Sequence, residues 1–98
     1  MKGYLIASLD IHDQPTFQRY REEVVPLIER YGGRYLIRGG EVEGLEGHLG
    51  LKRLIVLEFP SLDAAREFYN SPEYQPVKAI RLQSATSDVA LIVGYDDA

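Results

Sequence analysis

Two arginines, one glutamate and a few tyrosines are the side chains of this chain with chemistry to offer. Arg38 directly precedes Gly39-Gly40. A guanidinium can hold a carboxylate or phosphate in a bidentate fork, and glycines let the backbone come close to what is held. The plainer account is that the glycine pair bulges an edge strand while Arg38 pairs with a surface acid. Arg81 stands seven residues after Tyr74, so on a helix both lie on the face that carries Val77. An arginine on a buried-side stripe needs an anion, supplied by a ligand or by the protein itself. The protein's own option is a salt bridge to Glu58 or Glu73. Glu58 shares a strand face with Leu54 and Val56 and precedes Phe59-Pro60. It reads either as a pocket carboxylate, with a pKa raised by burial, or as a strand-end counter-ion for an arginine. Tyr4, Tyr69 and Tyr74 carry hydroxyls that could meet a substrate, although tyrosines on core faces usually pack with a wet tip.

The candidate set is therefore Arg38, Gly39 and Arg81 for binding a ligand, and Glu58, Tyr69 and Tyr74 for catalysis. His12 and His48 have no partner at metal-ligand spacing, and nothing near His48 in sequence would orient it as a base. Glu41, Glu43 and Glu46 alternate along a polar stretch and read as edge protection before they read as a cation site. No nucleophile elbow, phosphate-cradling glycine loop or zinc-protease motif occurs. No metal and no cofactor is expected.

Composition narrows the classes further. The 98 residues are 45% hydrophobic and 27% charged, as in one ordinary globular domain spanning 1–98. A net charge of −4, with basic residues scattered among acids, argues against a nucleic-acid partner. No apolar run approaches the roughly 18 residues of a membrane span. The first apolar stretch is too short for a secretory signal, and there is no cysteine, so cytoplasm is the expected compartment.

The elements that must position these groups follow from periodicity. Gly3 to Asp10 reads as a strand with Tyr4, Ile6 and Ser8 on one face and Leu5, Ala7 and Leu9 on the other. Asp13 caps a helix whose stripe is Phe17, Tyr20, Val24, Leu27 and Tyr31; Pro26 should kink it and Gly32-Gly33 should end it. A second strand is predicted from Arg34 to about Leu45, a turn at residues 46–50, and a third strand from Lys52 to Phe59. Ser61 caps a short helix with Leu62, Ala65, Phe68 and Tyr69 inward. A further helical stretch begins at Ser71-Pro72, with Pro76 bending it early. Ser87 to Tyr95 is the last strand, and Asp96-Asp97-Ala98 a frayed acidic end.

The order β-α-β-β-α-β predicts a ferredoxin-like plait: a four-stranded antiparallel sheet, helices on one face, strands one and three central. Leu54-Ile55-Val56-Leu57 and Val89-Ala90-Leu91-Ile92-Val93 are apolar at consecutive positions, so those strands carry apolar groups on both faces. Helices cover only one. Leaving the other wet would forgo roughly 1.5–3 kcal/mol per side chain. A homodimer packed through the open sheet face is the expected solution.

Three stretches carry a resemblance: Tyr31 to Gly40, Arg53 to Ser61, and Ala64 to Gln75. Together they are similar to the domain of unknown function family 1330, in order and spacing, over nearly the whole chain from Gly3 to Gly94. Gln14-Pro15 is a mild departure, since the family commonly has a proline followed by an acid there. The resemblance implies membership of the dimeric α+β barrel superfamily, whose ligand pocket lies between the sheet and its own helices. That superfamily includes cofactor-free monooxygenases, lactone isomerases, haem enzymes and regulator effector domains, so it implies no single activity. Two readings stand side by side. One is a cofactor-independent enzyme, oxygenase- or isomerase-like, acting on a small acidic metabolite held by Arg38 and Arg81. The other is a non-catalytic barrel that binds a small ligand or serves as an interaction partner.

Overall fold

A computed structural model describes residues 1–95, and the acidic end at 96–98 lies outside the described residues. Its elements are β1 (Gly3–Ile11), α1 (Gln14–Arg30), β2 (Arg34–Gly40), β3 (Arg53–Phe59), α2 (Leu62–Asn70), α3 (Tyr74–Ser84) and β4 (Ala85–Val93). The strands form one antiparallel sheet in the order β2-β3-β1-β4, with β1 and β3 central, as the ferredoxin-like plait requires.

Local chemistry sets the helix ends. The Asp13 carboxylate accepts from the Thr16 backbone N–H at 3.2 Å and from the Thr16 hydroxyl at 2.7 Å. This satisfies a donor that the first helical turn leaves free. Helix α1 then continues unbroken through Pro26 to Arg30. Gly32 closes it with φ +81°, and the Gly33 N–H donates back to the Ile28 carbonyl at 2.9 Å. Ser61 caps α2 by accepting from the Ala64 N–H at 3.0 Å.

Four boundaries differ from the sequence expectation. Strand β2 stops at Gly40 and not near Leu45, because Gly39, at φ +77°, sits in a register shift and ends regular pairing. Residues 41–52 form an exposed loop rather than a strand and tight turn. Helix α3 starts at Tyr74 and not at Ser71-Pro72, and Pro76 does not break it. Pro76 is the third helical residue, where a backbone N–H has no acceptor within the helix, so its loss costs nothing. Strand β4 follows α3 without a loop and spans Ala85–Val93, two residues earlier at both ends than expected.

One face of the sheet carries Leu5, Ala7, Leu9, Leu57 and Phe59, all buried beneath the helices. Phe59, Phe68 and Tyr74 form an aromatic spine above it, with ring centroids 5.4 Å apart for Phe59–Phe68 and 4.6 Å for Phe68–Tyr74. Helix α2 reaches this position because β1 begins with glycine. A Cβ on Gly3 would lie 2.5 Å from the Leu62 backbone. Gly3→Ala should therefore lower unfolding stability by about 1–3 kcal/mol or more, since backbone and not a side chain must yield. Urea denaturation would read this directly, and an unchanged midpoint would show that α2 is free to move.

The opposite face is open. Its central row crosses all four strands: Ile37 opposite Val56, Val56 opposite Ile6, and Ile6 opposite Ala90. The rows on either side are more polar, with Arg34, Glu58 and Tyr4 in one and Ser8 and Asp88 in the other.

Candidate functional site

Between the sheet and the helices lies a small open-mouthed cavity, with about 60 Å³ in which the centre of a water-sized sphere fits. Its floor is the helix-facing side of β1 and β3, chiefly Leu5, Ala7, Ile55 and Leu57, and its walls include Phe17 and Phe68. Four arginines line it: Arg21, Arg38, Arg53 and Arg81. Four tyrosines join them: Tyr20, Tyr35, Tyr69 and Tyr74. No carboxylate, histidine or lysine belongs to the lining. A chain of net charge −4 has thus gathered half of its eight arginines around one apolar hollow.

Arg81 is the innermost. It comes from α3, one face of which buries Tyr74, Val77, Ile80 and Arg81 together, and the residue is only 4% exposed. Burial works against its charge, but the phenolic oxygens of Tyr74, Tyr20 and Tyr69 outweigh that and hold its pKa above the ordinary arginine value. Among the described residues, Arg81 takes part in none of the ion pairs. The salt bridge open to it in sequence is not formed. Glu58 lies on the other side of the sheet, and Glu73 accepts from the Tyr31 hydroxyl at 2.8 Å.

The tyrosines tie the inner end together. The Tyr20 and Tyr74 hydroxyls are 2.8 Å apart, and Tyr69 stacks tilted against Tyr74 at 5.6 Å. Burial pushes the Tyr20 phenol well above its usual pKa, with the Tyr74 oxygen adding to the effect, and burial raises Tyr35 too. Both are neutral hydrogen-bond donors at physiological pH, not bases.

Arg38 and Tyr35 owe their meeting to a bulge. Residues three apart on a regular strand point to opposite faces. In β2 the pairing with β3 slips between Tyr35 and Ile37, so Tyr35 opposes Leu57 and Arg38 opposes Ile55, both on the cavity side. The Arg38 guanidinium then stands 4.5 Å from the centre of the Tyr35 ring. The second slip, at Gly39, brings the chain past Arg53: a Cβ there would lie in ordinary contact, 3.4 Å from the Arg53 Nη1. Arg21, from α1, lies 4.9 Å over the Phe17 ring.

Of the sequence candidates, Arg38, Gly39, Arg81, Tyr69 and Tyr74 come together at this cavity. Glu58 does not, and its reading as a pocket carboxylate is corrected. It faces the open side of the sheet, where it accepts from Arg34 Nε at 3.0 Å and from the Tyr4 hydroxyl at 3.1 Å, with Lys2 at 3.9 Å. Its pKa is lowered rather than raised, chiefly by the Arg34 hydrogen bond, so it behaves as the strand-end counter-ion. The Tyr4 hydroxyl, bonded to Glu58, lies on that same open side and away from the cavity. Because the folded-state pKa of Glu58 lies below 4.5, its stabilising contribution is complete above that value and is lost as pH falls through the lowered one. The stability gap between wild type and Glu58→Gln should accordingly close in acid, as urea titrations across pH would show.

Sequence reading missed Arg21, Arg53, Tyr20 as a polar group, and Tyr35. Arg53 had a usable signal, since it shares strand parity with Ile55 and Leu57. Arg21 also had one, four residues after Phe17 on the helix. His12 and His48 are exposed and away from the cavity, as are Glu41, Glu43 and Glu46. No helix among the described residues is long and apolar enough to cross a membrane.

The architecture defines the class: a ferredoxin-like α+β protein with a cationic, phenol-lined cavity under its helices. Residues 2–95 match the family described as a domain of unknown function (DUF1330), and the chain belongs to that family. No curated protein is significantly similar to it. Among solved structures it is similar to a protein of unknown function from Rhodopseudomonas palustris (18% identity, TM-score 0.76, covering 97% of this chain and 83% of that one). It is also similar to SnoaB, a cofactor-independent oxygenase from Streptomyces nogalater (15% identity, TM-score 0.62, 97% and 94%). A third is a dimeric ferredoxin-like protein of unknown function from Jannaschia sp. (13% identity, TM-score 0.63, 96% and 100%). At these identities the likeness is one of fold.

Proposed function

We propose that this protein binds a small organic anion with an apolar body, a carboxylate in the simplest case, inside the cavity. The observation that carries the reading is Arg81: 4% exposed, lining the cavity, and in no ion pair among the described residues. A buried guanidinium without a carboxylate of its own is a seat for one brought from outside. Calorimetry with aryl and alkyl carboxylates against their uncharged amides tests it. The acids should bind and the amides should not; equal binding of both would sink the reading. Arginine stays charged at every workable pH and the cavity holds no histidine or acid, so affinity should be flat from about pH 6 to about 9. It should fall only as the ligand's own carboxyl takes up a proton, which a pH series of the same titration checks.

A catalytic form of this reading is favoured by one feature, the hydroxyls of Tyr74 and Tyr20 hydrogen-bonded beside Arg81. There a bound anion would have a proton donor next to it. Tyr74 and Tyr69 are then the groups to handle protons in cofactor-independent chemistry on a small acid, oxygenase- or isomerase-like, in the cytoplasm. SnoaB's description as a cofactor-independent oxygenase is compatible with that chemistry on this fold. Oxygen uptake or product formation from a bound acid, lost in Tyr74→Phe while binding persists, tests it against the non-catalytic barrel.

The functional unit in this proposal is a homodimer joined through the open sheet face. The apolar row Ile37, Val56, Ile6 and Ala90 supports it, as does the description of the Jannaschia neighbour as dimeric.

A further inference from the structure

Resting on the anion-binding proposal, we infer that the ligand is two-headed: an acid with an anionic group at each end of an apolar middle. One guanidinium suffices for one carboxylate, and Arg81, with Tyr74, Tyr20 and Tyr69 about it, already supplies that inner seat. Arg21, Arg38 and Arg53 remain. Arg38 and Arg53 are exposed and Arg21 is half-buried, so they stand towards the mouth while Arg81 is enclosed.

Two of the three are held by aromatic rings. Arg38 is stacked on Tyr35 and Arg21 on Phe17, while Arg53 lies in van der Waals reach of Gly39. The charges of Arg38 and Arg21 both act on the Tyr35 phenol, as does the Tyr74 oxygen. None of the three is in an ion pair among the described residues, although the chain has 15 acids for 11 bases. Like charges gathered without acids repel each other, and an incoming anion relieves that repulsion. The floor of the cavity is Ile55, Leu57 and Leu5, which offer contact and no hydrogen bond. Two cationic ends joined by an apolar floor are complementary to a diacid, whether the outer group is a carboxylate or a phosphate ester.

The test titrates the full-length protein with α,ω-dicarboxylates of increasing chain length. Each is compared with the monocarboxylate that has a methyl group in place of the second acid, and one further arm carries an ω-phosphate. At about 50 mM salt the best diacid should bind at least about tenfold tighter than its monoacid. Raising salt to about 500 mM should shrink that advantage, because rim charges are screened more than the inner one. In Arg38→Gln/Arg53→Gln the advantage of diacid over monoacid should fall by at least about threefold; an undiminished advantage would overturn the rim as the outer seat. A preference for the phosphate arm over the dicarboxylate would identify the outer group as a phosphate. Equal affinity of diacid and monoacid for the wild type overturns the two-headed ligand and leaves the anion-binding proposal intact. Binding of neither overturns both. The wild-type comparison needs no variant to fold.

Discussion

Arg81→Met is expected to abolish carboxylate binding and, in the same protein, to raise the stability of the unliganded fold. The first effect follows from removing the one cavity cation that is almost wholly shielded from solvent. Truncating one partner of a buried, hydrogen-bonded charge pair costs about 2–5 kcal/mol, roughly 30-fold to several thousand-fold in affinity. The second follows from what Arg81 lacks. With no acid partner among the described residues, its charge is paid for in the empty protein only by phenolic oxygens. Methionine fills a similar space without needing solvation, so urea unfolding should show a gain of about 1–3 kcal/mol. A structural arginine would behave the other way, since its loss would strand a partner and destabilise the fold. Arg81→Lys separates charge from geometry: it keeps the cation, loses the planar fork, and should bind acids at an intermediate affinity. Unchanged affinity in Arg81→Met would move the binding seat elsewhere.

This opposition between binding and stability also explains why the site could be read only in part from sequence. Arg81 was legible because helical spacing puts it on the same face as Tyr74 and Val77, and an arginine on a core stripe is conspicuous. Gly39 was legible because a glycine pair inside a strand signals a bulge. Its φ of +77° and the register shift beside it follow from the same conformational freedom. The other bulge, at Leu36, left no mark. No glycine flags it, and it exists only through pairing with β3, yet it decides that Tyr35 and Arg38 share a face. Glu58 failed for a related reason. Its parity with Leu54 and Val56 was readable, but which face the helices cover was not. Pairing with Tyr4 settles that, since Tyr4 lies on the same face as Ser8 and Asp10, opposite the buried Leu5, Ala7 and Leu9. Local periodicity therefore yields faces, and only the sheet register assigns them to core or surface.

Val56→Glu should convert a dimer into a folded monomer. In the proposed assembly the row Ile37, Val56, Ile6 and Ala90 meets its own copy across a two-fold axis. Val56 stands on the central strand β3, flanked by Ile6 and Ile37, so a carboxylate there enters the middle of the contact. An uncompensated buried charge costs about 3–5 kcal/mol, and two-fold symmetry imposes it twice, enough to dissociate a nanomolar dimer at micromolar concentration. The fold of each protomer should survive, because Val56 faces away from the core under the helices. Light scattering should give wild type about twice the 11.1 kDa chain mass and Val56→Glu about that mass, with matching far-ultraviolet circular dichroism. Val56→Leu, which keeps the row apolar, should stay dimeric. A wild-type protein that is monomeric at micromolar concentration would refute the assembly. It would leave the row of apolar side chains across four strands exposed to water, at odds with how small sheets are built.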